Sequence, residues 1–235
     1  MDNRTRLTQF LFVLSRQQTL FIICGLFIIG VLLMMWQINQ IQSKLIEFTA
    51  LRQAADYTEA LVEFNNIYTA EVTDRLEGHG IEITHDYKNK EKAIPYPATL
   101  MILLGQQITS LKTGISGGGV SLYSQYPFPW RRKNVALNQF QLDALDALQK
   151  KPTDPFYRFE TMNGRPILRY ARASIMGDSC VECHNTNSDS PKTDWVVGDV
   201  RGAVEVTIPL SSVFTTAQQS VMGTSVLFGI ILFIG

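Results

Sequence analysis

An uncharged apolar stretch, TLFIICGLFIIGVLLMMWQI from Thr19 to Ile38, constrains this chain more than any other feature. In a bilayer, backbone N–H and C=O groups must be satisfied within the segment itself, which leaves the helix as the form of a single span. About 20 apolar residues at a helical rise cross the hydrocarbon core. A cleavable signal peptide has a shorter apolar core and small residues at a cleavage site, and none follows Ile38. A buried core helix is the competing reading, and the length and unbroken apolarity argue against it. Arg4, Arg6 and Arg16 precede the stretch, and no basic residue follows it until Lys44. The positive-inside bias therefore puts residues 1–18 in the cytoplasm, with 19–38 as an uncleaved transmembrane helix.

A second uncharged stretch, SVMGTSVLFGIILFIG, runs from Ser220 to Gly235. It is shorter than the roughly 20 residues a crossing needs. The expectation is an incomplete second transmembrane helix over 218–235, in a chain whose cytoplasmic continuation carries an output domain. Two crossings put the polar region between them outside the cytoplasm: the periplasm, if the cell is Gram-negative, with the helices in the inner (cytoplasmic) membrane. Lysine plus arginine balance aspartate plus glutamate at 21 each, which argues against a nucleic-acid partner.

Residues 39–76 are expected to be a helical stalk. Ile38, Ile41, Leu45 and Phe48 recur at spacings of three and four, the pattern of an amphipathic or coiled-coil helix. Such a stripe serves either packing on its own domain or a homodimer that transmits movement. Gly78 and Gly80 end it. Residues 77–212 then read as one α+β domain. IEITHDYKNKEKAIPYPATLM begins as loop, ATLMILLGQQITSL is a short helix, and VSLYSQY is a strand. The glycine-rich KTGISGGGV lacks the spacing of a phosphate-binding loop. Leu137 to Lys150 is an amphipathic helix. Asn163-Gly164 joins two β-rich runs as a two-residue hairpin turn. VRGAVEVTIPL is a last strand. The order predicts a small antiparallel sheet with its helices on one side.

Three of the chain's six cysteines and histidines fall in CVECH, Cys180 to His184. Three chemistries use such a cluster. A redox disulfide is compatible with the compartment, but a thioredoxin-like C-x-x-C opens a helix in a βαβ unit, and no such unit is present here. A structural zinc needs four ligands, and Cys24 lies in the membrane stretch. C-x-x-C-H is also the attachment pattern of a c-type haem. There the two thiols reach one macrocycle from a single helical turn, and the histidine ligates the iron. Haem attachment of this kind takes place outside the cytoplasm, where the topology puts the motif. Spacing and location agree, so one covalently attached haem c is the favoured reading.

THDYKNKEKAIPYPATL, LYSQYPFPWR, PFYRFETMNGRPILRYA, SCVECHN and SPKTDWVVGDVRGAVEV together resemble the c-type-haem, PAS-like sensor domains of bacterial membrane signalling proteins. The resemblance implies a PAS-like sheet with flanking helices and a single haem c. It also implies an output domain such as a nucleotide cyclase, a diguanylate cyclase or a histidine kinase. Part of that family uses a cysteine as second axial ligand. This chain departs from that pattern, because its only other cysteine is Cys24. The remaining candidates are His79, His85, Met101, Met162 and Met176. His85 is favoured because ITHDY lies in a stretch that carries the resemblance.

Phe128, Pro129 and Trp130 form an apolar turn suited to covering a haem edge. Arg131, Arg132, Arg169, Arg172 and Lys192 are candidate partners for the propionates, with Arg131 favoured because it follows the turn. No Ser-His-Asp set and no metal cluster can be assembled, so this portion is read as a non-enzyme. The expected function is a membrane-anchored extracytoplasmic sensor of a redox change or small gaseous ligand. The alternative is a membrane-anchored electron-transfer cytochrome. A third possibility is a binding module for a small organic ligand with the haem as structure only.

Overall fold

The computed structural model describes residues 3–113, 119–132 and 136–210. The expected second transmembrane helix lies outside the described residues. The chain divides into two compact units, Met1–Glu47 and Phe48–Gly235.

Helix α1 spans Asn3–Tyr68 and supplies all the described structure of the first unit. No proline interrupts it. Phe21, Leu26, Phe27, Ile29, Leu32 and Trp36 are all exposed on its surface. An 18-residue window with a mean hydropathy of 2.5 lies within this helix, which is long and apolar enough to cross a membrane.

In the second unit α1 becomes one-sided. Ala50, Ala54, Thr58, Leu61 and Asn65 are buried at spacings of three and four, the stripe of a helix laid on a core. Beyond Tyr68 the ladder widens into a π turn at Thr69–Thr73, followed by the short α2 (Asp74–Leu76). Gly78 and Gly80 take φ of 75° and 74°, left-handed geometry that reverses the chain.

The segment expected as loop contains a small parallel pair, β1 (Glu82–Ile83) with β2 (Ala93–Ile94). Two-residue strands leave no alternation to read in sequence. Helix α3 (Pro97–Thr113) follows, then β3 (Val120–Tyr123). Helix α4 (Gln139–Lys150) starts at a capping box: Asn138 Oδ1 accepts from the Gln141 N–H at 3.2 Å and Gln141 Oε1 from the Asn138 N–H at 3.1 Å. Strands β4 (Phe156–Met162) and β5 (Arg165–Ile175) form the hairpin. Asn163 and Gly164 both have positive φ, 52° and 74°, as the expected tight turn requires. Helix α5 (Asp178–Thr186) carries CVECH, and β6 is Val200–Pro209. The four-stranded sheet is antiparallel throughout, in the order β3-β6-β5-β4.

The fold is thus α+β, but the helices are not confined to one side. Leu168, Tyr170, Val204 and Val206 pack with Ala50, Ala54 and Leu61 of α1 and Met101 of α3. Ala171, Ala203 and Tyr123 pack with Phe140, Ala144, Leu145 and Leu148 of α4. Successive residues of a strand point to opposite faces, so β5 and β6 are buried on both. Residues 167–171 are accordingly buried without a break, the burial pattern of a strand covered on both sides.

Candidate functional site

The second unit encloses a cavity of about 1020 Å³ between the end of α1, the π turn, the 128–132 segment, α5 and the start of β6. Cys180, Cys183 and His184 all line it. Residues three and four apart share a helix face, so α5 presents both thiols and the imidazole together.

Two features place α5. A register shift at Ser174/Ile175 interrupts the β5–β6 ladder just before the helix, and bulges redirect a strand in this way next to functional sites. Behind the helix, Asn185 Nδ2 donates to the Trp195 carbonyl at 2.9 Å, and Asn185 Oδ1 accepts from the Trp195 N–H at 3.0 Å. This reciprocal pair holds the 187–199 loop against α5.

Phe128, Trp130 and Arg131 also line the cavity. A short 3₁₀ turn at Pro129–Arg131 sets their spacing. The Phe128 ring lies 4.6 Å from Trp130 and 5.0 Å from His184. His85 does not line the cavity. It is exposed and stacks on Trp130 at 4.3 Å and 6°, while Tyr96 stacks on the same indole at 5.7 Å. His79 is exposed too, with its Nδ1 3.0 Å from the Glu77 carbonyl oxygen.

The cationic residues separate by position. Arg169 is taken up by a buried ion pair, its Nε 2.7 Å from Glu205 Oε1. Arg172 faces Glu59 at 3.8 Å, and Lys192 pairs with Asp194. Arg131, Arg132 and Arg201 line the cavity. Arg131 Nη2 donates to Thr99 Oγ1 at 3.1 Å. Arg201 Nε donates to Ser174 Oγ at 2.8 Å, and its Nη1 stands 3.5 Å from His184 Nε2. Among the described residues neither Arg131 nor Arg201 has a carboxylate partner.

Burial, reinforced by the nearby Arg201 charge, lowers the His184 pKa to about 4. The imidazole is therefore neutral at neutral pH, with a lone pair free for a metal. Burial pushes the Cys183 thiol up, with Cys180 and Glu77 adding to the shift. A redox-active C-x-x-C does the reverse and lowers its attacking thiol. The two cysteines are unpaired. Among the described residues no group of three or more His, Cys, Asp or Glu side chains is arranged to hold a metal ion.

Sequence reasoning did not single out Arg201, Trp195 or Asn65. Trp195 is 6% exposed, and its Nε1 has no hydrogen-bond partner. Both Arg201 and Trp195 stood in the quoted SPKTDWVVGDVRGAVEV. Nothing in the local pattern says that a loop reversal and a bulge bring them to α5.

The fold and cavity together define a small antiparallel-sheet domain whose C-x-x-C-H helix opens on an aromatic and cationic pocket. Residues 37–209 match the Tll0287-like family model, and the chain belongs to that family of periplasmic sensor-like domains. No curated protein and no solved structure matches it.

Proposed function

We propose that the cavity holds one c-type haem, attached through Cys180 and Cys183 with His184 as an iron ligand, in a membrane-anchored periplasmic sensor domain. The observation that carries this reading is the convergence on one 1020 Å³ cavity of the C-x-x-C-H face and two guanidiniums without carboxylate partners. The other lining groups fit the same guest. Phe128 and Trp130 offer flat apolar surface. Arg131 and Arg201 offer donors to two carboxylates. When bound, the group would supply a redox-active iron.

Each residue then has a task. Cys180 and Cys183 would hold the group through two thioether links, each made by net addition of a thiol S–H across a vinyl group with no oxidant consumed. His184 offers a neutral nitrogen to the iron. Arg201 stands beside that nitrogen and is the second residue of β6, so a change in charge or position at His184 would act on this strand. The route to the membrane is then β6 and the apolar stretch that follows it, a two-state element biased by the site. A homodimer formed through the stalk belongs to the same reading, supported by the exposed Ile41, Leu45 and Phe48.

The test is a pyridine haemochrome spectrum of the chain produced with the c-type maturation machinery and then denatured. The expected result is a c-type spectrum that stays with the polypeptide and is lost in Cys180→Ala/Cys183→Ala. A chain that leaves working maturation without haem would overturn the reading. For signalling, an output domain joined after Gly235 should lose its redox response in His184→Ala, and unchanged regulation would sink that part.

A further inference from the structure

Resting on the haem reading above, we propose that Trp195 and Asn185 are positioning residues for the iron ligand: together they set the plane of the His184 imidazole.

A histidine ring turns about a bond between a tetrahedral and a trigonal carbon, and such torsions have broad minima. Its plane is therefore set by what packs against it. Three parts of the fold bound His184. The Phe128 ring, just before the 3₁₀ turn, is 5.0 Å away and tilted at 55°. Arg201 Nη1, from β6, is 3.5 Å from Nε2. Trp195, from the 187–199 loop, lines the same cavity and stands edge-on to the imidazole at 84°, with ring centres 6.4 Å apart. Aromatic rings favour this arrangement at such separations, because the positive rim of one meets the negative face of the other. In the haem reading Phe128 and Arg201 both turn to the guest. Trp195 is the neighbour whose place the protein alone sets.

That place is built from both sides. Trp195 is 6% exposed. Its own backbone is clasped by Asn185, which donates to the carbonyl at 2.9 Å and accepts from the N–H at 3.0 Å. On the far side, the Val196 N–H donates to Asp199 Oδ2 at 3.0 Å, and the Gly198 N–H donates to the carbonyl of the buried Met176 at 2.9 Å. Around the indole, Tyr126 meets it edge-on at 5.8 Å and Lys192 Nζ lies 4.6 Å from its centre. A side-chain amide donates and accepts through adjacent atoms, which is what clasping a peptide unit at both polar groups requires. Asn185 directly follows His184. The residue that holds the tryptophan is therefore the chain neighbour of the residue the tryptophan orients. Groups that orient a metal-binding histidine in this way tune the metal, because the plane of the imidazole governs its π overlap with the iron.

The experiment uses the full chain, matured with haem and held in detergent or nanodiscs, with haem content measured first by pyridine haemochrome. A parent without haem, or one whose ferric spectra are unchanged in His184→Ala, would overturn the haem reading and this proposal with it. The readouts are the ferric EPR g-values and the pattern of hyperfine-shifted haem-methyl NMR resonances, both of which report the plane of an axial imidazole. Trp195→Leu should keep full haem content and shift both. Trp195→Phe, which retains a ring, should return them most of the way to the parent. Asn185→Ala should shift them in the same direction as Trp195→Leu, and the double variant no further than Trp195→Leu alone. Asn185 is half-buried, so Asn185→Ala decides the matter by itself if Trp195→Leu does not fold. A role in packing alone would lower the urea midpoint and leave the spectra of the folded haem protein in place. That result would overturn this proposal and leave the haem reading standing. So would Trp195→Phe spectra displaced as far as those of Trp195→Leu.

Discussion

Arg169 and Glu205 meet at 2.7 Å with side chains 9% and 4% exposed. The guanidinium also lies 4.0 Å from the centre of the Phe140 ring and donates to Asn138 Oδ1, the cap of α4. Removing Glu205 leaves the buried Arg169 guanidinium with only the more exposed carboxylate of Glu160, 3.6 Å away. Glu205→Ala should therefore cost about 3–5 kcal/mol in urea unfolding, while Arg169→Met/Glu205→Leu should recover most of it. Tyr123 gives a pH dependence. Its hydroxyl is buried beside Glu205, and burial, with Glu205 adding to it, raises the phenol far above its ordinary value of 10. A raised folded-state pKa means that the native chain keeps its proton where the unfolded chain has lost it. Stability is then fully present below pH of about 10 and falls as pH rises beyond it. Tyr96 and Tyr170 are raised by burial in the same sense. Tyr123→Phe should leave stability at pH 7 within about 1 kcal/mol and flatten the alkaline loss, as read by urea midpoints between neutral and alkaline pH. In sequence Arg169 and Arg131 look alike as candidate propionate partners. Only the cross-strand geometry gives one a carboxylate and leaves the other facing the cavity.

The elements that set the site are held by close backbone approach as much as by side-chain packing. A Cβ at Gly202 would lie 2.3 Å from the Tyr123 carbonyl oxygen. Because β3 and β6 are paired here, Gly202→Ala must push the strands apart at the cavity wall. Overpacking of this kind should cost about 1–3 kcal/mol in thermal or urea unfolding, with reduced haem retention as the readout at the site under the proposed haem reading. The hairpin was legible in sequence because Asn-Gly between β-rich runs has a local cause in positive φ. Helix α4 was legible from its apolar stripe, although its start, set by the Asn138 cap, was not. The parallel β1–β2 pair was not, since two-residue strands carry no period. The two-sided cover of the sheet was not either, because the small side chains of Ala171, Ala173 and Ala203 do not advertise the α4 face they bury. The π turn has no sequence marker, yet it supplies two of the polar groups on the wall.

For the whole molecule, the exposed apolar surface of α1 from Phe21 to Trp36 is the dominant physical fact. The protein should stay with membranes through alkaline carbonate washing. Leu26→Lys/Ile29→Lys should release it, since each central lysine costs about 2.5–3.5 kcal/mol on insertion. Ile41, Leu45 and Phe48 remain exposed beyond that stretch, at 60%, 60% and 67%. If they form the stalk seam, Leu45→Cys in a Cys24→Ser background should yield a disulfide-linked dimer on mild oxidation. A monomer on a non-reducing gel would remove the stalk dimer from the proposal.

Sequence alone was sufficient for whatever depends on neighbours in the chain: the apolar stretch, the tight turn, the amphipathic helix, and Cys180, Cys183 and His184 on one helical turn. Those properties are local, set by period, charge bias and backbone freedom, and they hold in any fold the chain could adopt. The tertiary structure decided everything that depends on residues far apart in sequence. It set Arg201 beside His184, sealed Arg169 against Glu205, put His85 behind Trp130 rather than on the cavity wall, and brought Asn65 from α1 to the wall of the same cavity. The physical reason is that these placements follow from strand register and from which face of each element is buried, and both are settled only when the whole sheet and its helices pack together.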